Sequence, residues 1–364
     1  MTGSETLELA AFRADQVPER VGGYLDYARR GLLLRSARDA LLRFVPSLQD
    51  GSRGLAAQAE VRESARCQLA RRVGFAPQQL AFTSNTTTAI ALLAQSVAWA
   101  PGDRVLLAPD EVESNRLPWL ALESRGVVVE ELPSRAGRLE LEDLAHACRE
   151  RPPRWASLSL VSLGTGQLRP VKEALDILSG VGAKLCVDVA QGIGVLRLVS
   201  RLAGVSAVVG CGRKWLCGPP EVGFLALETE DLSPVSAGMC SFDSRGAIRP
   251  GAGPWEGGVA PVLSLVGLEA SLAALGRLDA GVVEGAAQRN ANILRDMLGP
   301  RAKDLPASER SPIVWIETQS DVDPEELFAR GLVARPLGSR IRLSAHAWST
   351  TAELQRAAEI LRRL

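Results

Sequence analysis

Short apolar segments alternate with longer stretches of helical pattern along this chain as far as about residue 227. The segments are mostly apolar on both faces, which is typical of strands buried inside a sheet. Their alternation with helices favours a largely parallel sheet covered by helices on both faces, and therefore an α/β protein. The predicted strands are residues 79–83, 104–108, 126–131, 156–161, 184–188, 207–210 and 223–227, and the predicted helices between them are residues 86–97, 117–125, 141–149 and 171–180.

The chain is organised differently after these strands. Residues 231–261 are rich in Gly, Pro, Ser and Trp, which indicates a long irregular connection of a kind that often carries function. A helix-rich stretch follows at residues 263–298. Three strands and a last helix are predicted at residues 313–317, 332–337, 341–344 and 351–364. We predict a large domain over residues 18–262 and a small domain formed by residues 1–17 and 263–364.

The composition describes an ordinary globular chain. Of its 364 residues 46% are hydrophobic and 23% charged, and 42 basic side chains balance 42 acidic ones. Such a chain is able to bury a large core, and it lacks the basic excess of proteins that bind nucleic acid. Its best apolar run, residues 89–100, is interrupted by Gln95 and Ser96 and is too short to cross a bilayer. We expect neither a nucleic acid nor a membrane as partner.

Cysteine and histidine usage indicates chemistry without a metal. Six Cys are scattered without a Cys-x-x-Cys pair, and the acidic, polar first twenty residues do not resemble a signal peptide. We therefore expect reduced thiols and a cytoplasmic protein. The chain has two His, His146 and His346, which are far apart and separate from any Cys cluster, and this argues against a metal site.

An acid and an amine follow two neighbouring predicted strands. Asp188 ends one strand and Lys214 comes just after the next, so both are expected at the carboxyl edge of the sheet, where open α/β sheets bind ligands. This pair suits pyridoxal phosphate, because a lysine forms a Schiff base with its aldehyde and a carboxylate keeps its pyridine nitrogen protonated. A plain salt bridge at the strand ends explains the same two residues, and the pair alone does not separate the two interpretations.

The segment FTSNTTTAIALL, residues 82–93, places a polar turn between a strand and an apolar helix. Backbone N–H groups at the start of such a helix, with the hydroxyls of Thr86 and Thr87, form the outline of a phosphate site. A simple helix cap provided by Ser84, Asn85 or a threonine is the alternative interpretation.

Seven segments, in order along the chain, resemble the class V aminotransferase family. They are YLDYARRG at 24–31, FTSNTTTAI at 82–90, DEVESNRLPW at 110–119, SLVSLGTG at 159–166, VDVAQGIG at 187–194, GRKWLCGP at 212–219 and RIRLSAHAWST at 340–350. This family is the group of fold type I enzymes, dependent on pyridoxal 5′-phosphate, that includes cysteine desulfurases, isopenicillin-epimerase-like proteins and C–S lyases. The resemblance implies a large domain with a mostly parallel seven-stranded sheet, a small α+β C-terminal domain, a small amino-acid substrate and a homodimer whose subunits share active sites.

The resemblance also implies roles for individual residues. Lys214 corresponds to the Schiff-base lysine and Asp188 to the partner of the pyridine nitrogen, and both are expected to be catalytic. Gln191 matches the residue that hydrogen-bonds the phenolic oxygen of the cofactor. Arg342 matches the arginine that binds the substrate α-carboxylate, a planar two-point contact that lysine makes poorly. The implied cofactor-binding positions are Thr86, Thr87, Val112, Asp188, Gln191, Arg213 and Lys214.

Five positions depart from the family pattern. Cys211 and Arg213 stand where many members have Ser and His before the lysine, although Arg213 still supplies positive charge for the phosphate. Val112 replaces a ring that stacks on the cofactor, so only van der Waals cover remains. Leu163 replaces an Asn near the phenolic oxygen, and Val259 replaces a Thr that often reaches the phosphate from the neighbouring subunit. We expect cofactor binding to be weaker or differently arranged.

These residues predict an enzyme that acts at the α-carbon of an amino acid, by C–S or other β-lyase chemistry or by transamination. Amino-acid epimerisation and a degenerate paralogue without catalysis are the alternatives. A cysteine desulfurase that relays sulfur as a persulfide is disfavoured, because the last Cys is Cys240 and residues 332–342 contain none. A nicotinamide dehydrogenase, suggested by Gly192 and Gly194, is disfavoured because the third glycine is missing and the motif follows the wrong strand.

Overall fold

The computed structural model describes residues 3–18, 23–234, 238, 241–242, 245–258 and 261–364. A short strand, β1 (Gly23–Tyr24), precedes a central seven-stranded sheet. The strands of that sheet are β2 (Leu80–Thr83), β3 (Arg104–Leu107), β4 (Val128–Glu131), β5 (Trp155–Ser159), β6 (Lys184–Asp188), β7 (Ala207–Cys211) and β8 (Gly223–Leu227). Their spatial order is β2-β8-β7-β6-β5-β3-β4.

The sheet is parallel except for β8, which pairs antiparallel with both β2 and β7. Strands β3, β5, β6 and β7 run in one direction, in a continuous parallel register. Their carboxyl ends therefore meet at one edge, which carries Ser159, Asp188 and Cys211. Strands β5 and β7 are buried at every position, as their apolar sequences predict.

Eleven helices lie within the described residues, and most of them pack on the two faces of the sheet. They are α1 (Gly3–Gln16), α2 (Arg35–Phe44), α3 (Leu55–Val73), α4 (Thr86–Ser96), α5 (Glu113–Leu120), α6 (Leu141–Glu150), α7 (Val171–Ser179), α8 (Val262–Leu275), α9 (Ala280–Leu298), α10 (Pro324–Ala329) and α11 (Thr351–Arg362). Helices α4 and α5 cover one face with Ile90, Leu93 and Trp119, while α3, α6, α7 and α8 cover the other. Alternate strand residues supply the two cores.

A second, antiparallel sheet of three strands is built from the C-terminal part of the chain. Its order is β11 (Arg335–Leu337), β12 (Arg340–Ser344) and β9 (Ile313–Glu317). The short strand β10 (Leu332–Val333) pairs with β1 instead. Helices α9, α10 and α11 contribute to a third core with these strands. The N-terminal segment that carries β1 is thus joined to the C-terminal part of the chain.

The α/β architecture predicted from the sequence is confirmed, and strands 184–188 and 223–227 match at both ends. The ends of other helices and strands differ from the predicted ones. The helix predicted at 117–125 begins at Glu113 and passes into a 3₁₀ turn, Ala121–Arg125, after Pro118. The strand predicted from residue 126 begins at Val128, because Gly126 closes that turn with φ 79°. Helices α1, α2 and α3 were not predicted. The division into domains at residue 262 stays a prediction.

None of the helices in the described part of the chain has the length and apolar character needed to cross a membrane. The five described cysteines are all unpaired thiols. Cys240 and Val259 lie outside the described residues.

Candidate active site

Asp188 and Lys214 come together at the carboxyl edge of the sheet, as predicted. Asp188 is the last residue of β6, and Lys214 lies three residues beyond β7, the parallel neighbour of β6. Lys214 is half-buried, and its Nζ forms no hydrogen bond or ion pair with any described residue. It is nevertheless close enough to Asp188 for its charge to lower the pKa of that carboxyl. The plain strand-end salt bridge considered from the sequence is not formed.

Asp188 is held in a water-poor position with one oxygen free. The side chain is 4% exposed, and its Oδ1 accepts a hydrogen bond of 2.8 Å from the Ala190 N–H. Oδ2 has no partner among the described residues. The pKa of Asp188 is raised to about 6, mainly by burial and to a smaller extent by the carboxylate of Glu111, against the opposing effects of Lys214 and the Ala190 N–H. A cation beside Oδ2 would favour the ionised form.

The loop after Lys214 is fixed from the C-terminal part of the chain. His346 is fully buried and its Nε2 lies 3.1 Å from the Trp215 carbonyl oxygen. The Ala347 N–H donates to Nδ1 of the same ring at 2.8 Å, so the proton of the neutral imidazole is on Nε2 and points to Trp215. Burial lowers the pKa of His346 to about 3. The ring therefore holds the loop and does not exchange protons at neutral pH.

Gln191 lies under the lysine loop and is largely occupied by contacts within the chain. Its Nε2 donates to the Ala28 carbonyl oxygen at 2.9 Å, and its Oε1 accepts from the Trp215 indole N–H at 3.0 Å. One N–H of the carboxamide remains for another acceptor. The predicted bond from Gln191 to a cofactor oxygen rests on that single donor and stays a prediction.

Gly31 allows the segment 24–31 to approach the lysine loop. Its N–H donates to the Arg213 carbonyl oxygen at 2.8 Å, and a Cβ at this position would lie 2.1 Å from the Lys214 carbonyl oxygen. We expect Gly31→Ala to lower the free energy of unfolding by about 1–3 kcal/mol, as overpacking does, and to weaken cofactor binding. Urea denaturation and a cofactor titration measure the two effects.

The matched control is Gly164→Ala, since a Cβ there meets nothing within 4 Å. Equal behaviour of the two alanine variants would contradict this account of Gly31.

The start of α4 offers unused N–H groups at the same edge of the sheet. Asn85 is the N-cap, and its Oδ1 accepts from the Thr88 N–H at 2.8 Å. The N–H groups of Thr86 and Thr87 have no acceptor among the described residues, as expected for the first turn of a helix. Thr86 is buried and Thr87 is exposed. The helix cap and the phosphate site considered from the sequence are therefore compatible, because they use different donors.

A cleft of about 690 Å³ opens beside this helix start. It is lined by Ser84 and Asn85 of the α4 turn, by Cys211 and Arg213 before the lysine, and by part of segment 24–31. Arg213 is exposed, and its Nη1 donates to the Arg29 carbonyl oxygen at 3.1 Å. An anion at the helix start would thus have a guanidinium on the same wall of the cleft.

Arg342 is buried beside the carboxylate of Asp26, a pairing that the sequence did not indicate. The side chain lies on β12 and is 4% exposed, and its Nη2 donates to Asp26 Oδ1 at 3.1 Å. Its Nε is buried and has no hydrogen-bond partner among the residues that the structure describes. Burial raises the pKa of Asp26 and lowers that of Arg342, and each group opposes the shift of the other. The Nε is therefore a buried donor that the described residues leave unsatisfied.

Val112 and Leu163, two of the departures from the family pattern, are aliphatic residues in well-defined positions. Val112 is half-buried at the N-cap of α5, and its side chain forms no cap hydrogen bond. The Leu163 carbonyl oxygen accepts from the Trp315 indole N–H at 2.9 Å, which ties its loop to β9. Neither aliphatic side chain is able to exchange a proton.

A buried polar network lies next to Asp188 and was missed in the sequence. Glu111 and Arg169 form an ion pair in which both side chains are fully buried. Glu111 also accepts from the Ser159 N–H at 2.7 Å and from Asn115 Nδ2 at 2.9 Å. Ser159 is the register partner of Asp188 on β5. The available sequence signal was the pair of serines inside the apolar strand β5, which indicates polar contacts on one face.

Three free groups at this edge fit pyridoxal phosphate: the Lys214 amine, Asp188 Oδ2 and the N–H groups of the α4 start. An amine for the aldehyde, a carboxylate for the ring nitrogen and a positive helix end for the phosphate are the protein groups that this cofactor needs. The fold and the site together define a fold type I enzyme that uses pyridoxal 5′-phosphate.

The model of the class V aminotransferase family, "Aminotransferase class-V", matches residues 49–312. The chain belongs to this family, as its motifs predicted, and its cofactor is pyridoxal 5′-phosphate.

Relatives come from several branches of the family. The chain is 28% identical over 223 residues to a probable cysteine desulfurase of Methanothermobacter thermautotrophicus, which covers 59% of this chain and 56% of that protein. It is 28% identical over 379 residues to isopenicillin N epimerase of Streptomyces clavuligerus, and this alignment covers 94% of this chain and 90% of that protein. The solved complex of the cystine C–S lyase C-DES with cysteine persulfide has a TM-score of 0.86, at 21% identity over 94% of this chain and 97% of that one.

Proposed function

We propose that this protein cleaves the C–S bond of a cysteine-derived amino acid by β-elimination, with Lys214 as its acid–base group. The observation that carries the proposal is the free Lys214 amine beside the buried carboxylate of Asp188. Bound pyridoxal phosphate supplies an aldehyde for the substrate amine and a ring that accepts electrons from the α-carbon. A cytoplasmic location is part of the same proposal.

Each residue of the site then has a defined task. Arg342 orients the substrate by its α-carboxylate. Lys214 Nζ takes the proton from the α-carbon. Asp188 Oδ2 holds a proton on the ring nitrogen, so that this nitrogen stays cationic. In the elimination the Cβ–S bond breaks with its electron pair on sulfur, and water hydrolyses the remaining enamine to a keto acid and ammonia.

The lack of a second acid–base side chain in the described site also bears on the reaction. Val112 provides no acid–base group, and His346 is buried with both ring nitrogens engaged. Lys214 is then the proton carrier of the site among the described residues. The similarity to a probable cysteine desulfurase and to a C–S lyase supports cleavage at sulfur. Because no Cys follows Cys240 in the sequence, we propose release of sulfur to the solvent and not to a C-terminal thiol.

The experiment mixes the cofactor-loaded enzyme with cysteine, cystine, S-alkyl cysteines and common amino acids. The proposal expects keto acid, ammonia and a sulfur product in equal amounts from the sulfur compounds. Conversion of the cofactor to its amine form would identify transamination instead. Loss of α-deuterium with recovery of the amino acid would identify epimerisation, the activity that the similarity to isopenicillin N epimerase makes the second candidate. An unchanged visible spectrum with every compound would remove the catalytic assignment.

Arg342→Lys tests the role of the arginine while leaving a cation beside Asp26. We expect KM for the amino-acid substrate to rise about 10-fold to 100-fold, because a charge-assisted hydrogen bond contributes about 1.5–3 kcal/mol and lysine lacks the planar donors. Steady-state kinetics measure the change, and a thermal melt confirms that the variant is folded. An unchanged KM in a folded variant would exclude Arg342 from the site.

A homodimer is part of the proposal. Four large apolar side chains on α2, α3 and the turn between them are 41–67% exposed, and they are Leu42, Val45, Leu48 and Leu55. A contiguous exposed apolar patch marks an interaction site, and we propose that these four side chains form one. We expect Leu42→Asp to shift the protein from dimer to monomer in analytical ultracentrifugation. Sedimentation of the unmodified protein as a monomer would contradict the dimer.

A further inference from the structure

Three arginines without a carboxylate partner face the same cleft. Arg29, Arg30 and Arg213 line it, all three are exposed, and none of them forms an ion pair with a described residue. Two acids, Asp26 and Glu221, also line the cleft. Asp26 is already paired with Arg342, and Glu221 makes no ion pair with a described residue. The cleft therefore holds an excess of positive charge.

Arg29 and Arg30 project from a turn whose backbone is fixed by several hydrogen bonds. Both of their N–H groups donate to the Asp26 carbonyl oxygen at 3.0 Å. Their carbonyl oxygens accept from Arg213 Nη1 at 3.1 Å and from the Tyr24 hydroxyl at 2.6 Å. The neighbouring Ala28 N–H donates to Ser344 Oγ at 3.0 Å. These contacts use backbone atoms and leave both guanidinium groups available.

Arg29 lies near Arg342, the residue assigned to the substrate carboxylate, and Arg30 follows Arg29 on the same wall of the cleft. The charge of Arg29 lowers the pKa of both Asp26 and Arg342. Arg335, the register partner of Arg342 on β11, acts on the same two groups. Arg29 and Arg335 thus lie close to one buried ion pair, Asp26–Arg342.

The anions of a simple amino-acid reaction do not use all of these cations. The cofactor phosphate is assigned to the start of α4 and Arg213, and the α-carboxylate to Arg342. Arg29 and Arg30 remain without an anion. Resting on the proposed function, we propose that they bind a second anionic group on the substrate side chain, so that the preferred substrate is a cysteine derivative with a distal carboxylate or a similar acid.

The test compares two analogues that differ by one charge. S-carboxymethyl-L-cysteine and S-carbamoylmethyl-L-cysteine have nearly the same shape, and the visible spectrum of the cofactor-loaded protein reports the Kd of each. We expect the acid to bind about tenfold more tightly, equivalent to one charge-assisted hydrogen bond. The preference is expected to shrink between 20 mM and 500 mM salt, because exposed charges are screened.

The double variant Arg29→Gln/Arg30→Gln is expected to bring the Kd of the acid up to that of the amide. Arg125→Gln is the control, since Arg125, on the 3₁₀ turn before β4, forms no ion pair with the described part of the chain. This variant is expected to keep the preference. A cofactor titration of each variant provides a second measurement. A cofactor Kd that rises in the double variant while the preference persists would assign both arginines to the phosphate and overturn the proposal.

The two proposals fail differently. If both analogues change the spectrum with equal Kd, the second anion site is wrong and the proposed function stands. If neither analogue nor any amino acid changes the spectrum, the proposed function itself is wrong.

Discussion

Lys214→Ala is expected to abolish covalent attachment of the cofactor and to reduce kcat by at least about 10³-fold to 10⁴-fold. The reduction follows because the variant loses the amine that carries the α-proton, and a positioned acid–base group contributes about 10²-fold to 10⁴-fold by itself. Borohydride treatment followed by peptide mass analysis measures attachment, and single-turnover loss of α-deuterium measures proton transfer.

Lys184→Ala is the matched control for this prediction. Lys184 is half-exposed at the opposite end of β6, with its Nζ 3.6 Å from Asp231. The control is expected to keep both the attached cofactor and the rate. Attachment to a lysine other than Lys214, or proton exchange at the original rate in Lys214→Ala, would contradict the assignment.

Asp188→Asn is expected to have opposite effects on catalysis and on stability. An amide does not stabilise a protonated ring nitrogen, so we expect kcat to fall on the order of 10³-fold, comparable with the loss of another preorganised electrostatic contact in an active site. The cofactor-free variant is expected to be more stable than the original protein above pH 6. It lacks a buried carboxylate that must ionise there.

The pH dependence follows from the pKa of Asp188, which burial raises from 3.8 to about 6. An acid with a raised pKa in the folded state destabilises the fold as pH rises through this interval, and the cost reaches about 3 kcal/mol above pH 6. The stability difference between the original protein and Asp188→Asn should grow between pH 4 and pH 7. Urea denaturation of the cofactor-free proteins measures it.

Asp176→Asn, at an exposed position on α7, is the control and is expected to show no such growth. A difference in stability that does not change with pH would show that the Asp188 carboxyl is not held in the described environment.

The sheet was predictable because its strands are short, apolar and buried on both faces. Residues 184–188 and 223–227 contain nothing that competes with this pattern. Helices α2 and α3 were not predicted because their apolar positions are interrupted by arginines. Arg66, on α3, is buried with its guanidinium paired to Glu256 at 2.6 Å. A charged residue in a helical pattern normally indicates a solvent face, and no local signal shows that its partner lies 190 residues away.

The residues of the candidate site also fall into those that local sequence predicts and those that it does not. Asp188, Lys214 and the α4 start follow from strand ends, which local pattern locates. The pairs Asp26–Arg342 and Glu111–Arg169 and the bond from His346 to Trp215 join distant parts of the chain. Only the three-dimensional structure brings them together. The resemblance to the family supplied the role of Arg342, although not its acidic partner.

The hydrogen bonds from His346 to Trp215 and from Ala28 to Ser344 have a consequence for how the chain folds during synthesis. Ser344 is 316 residues away from Ala28, so these contacts to the arginine turn and the lysine loop form only after residues 344–346 have been synthesised. We therefore expect the cofactor to bind only after these residues have been synthesised. A nascent chain stalled before Ser344 should remain colourless even when its central sheet has already formed.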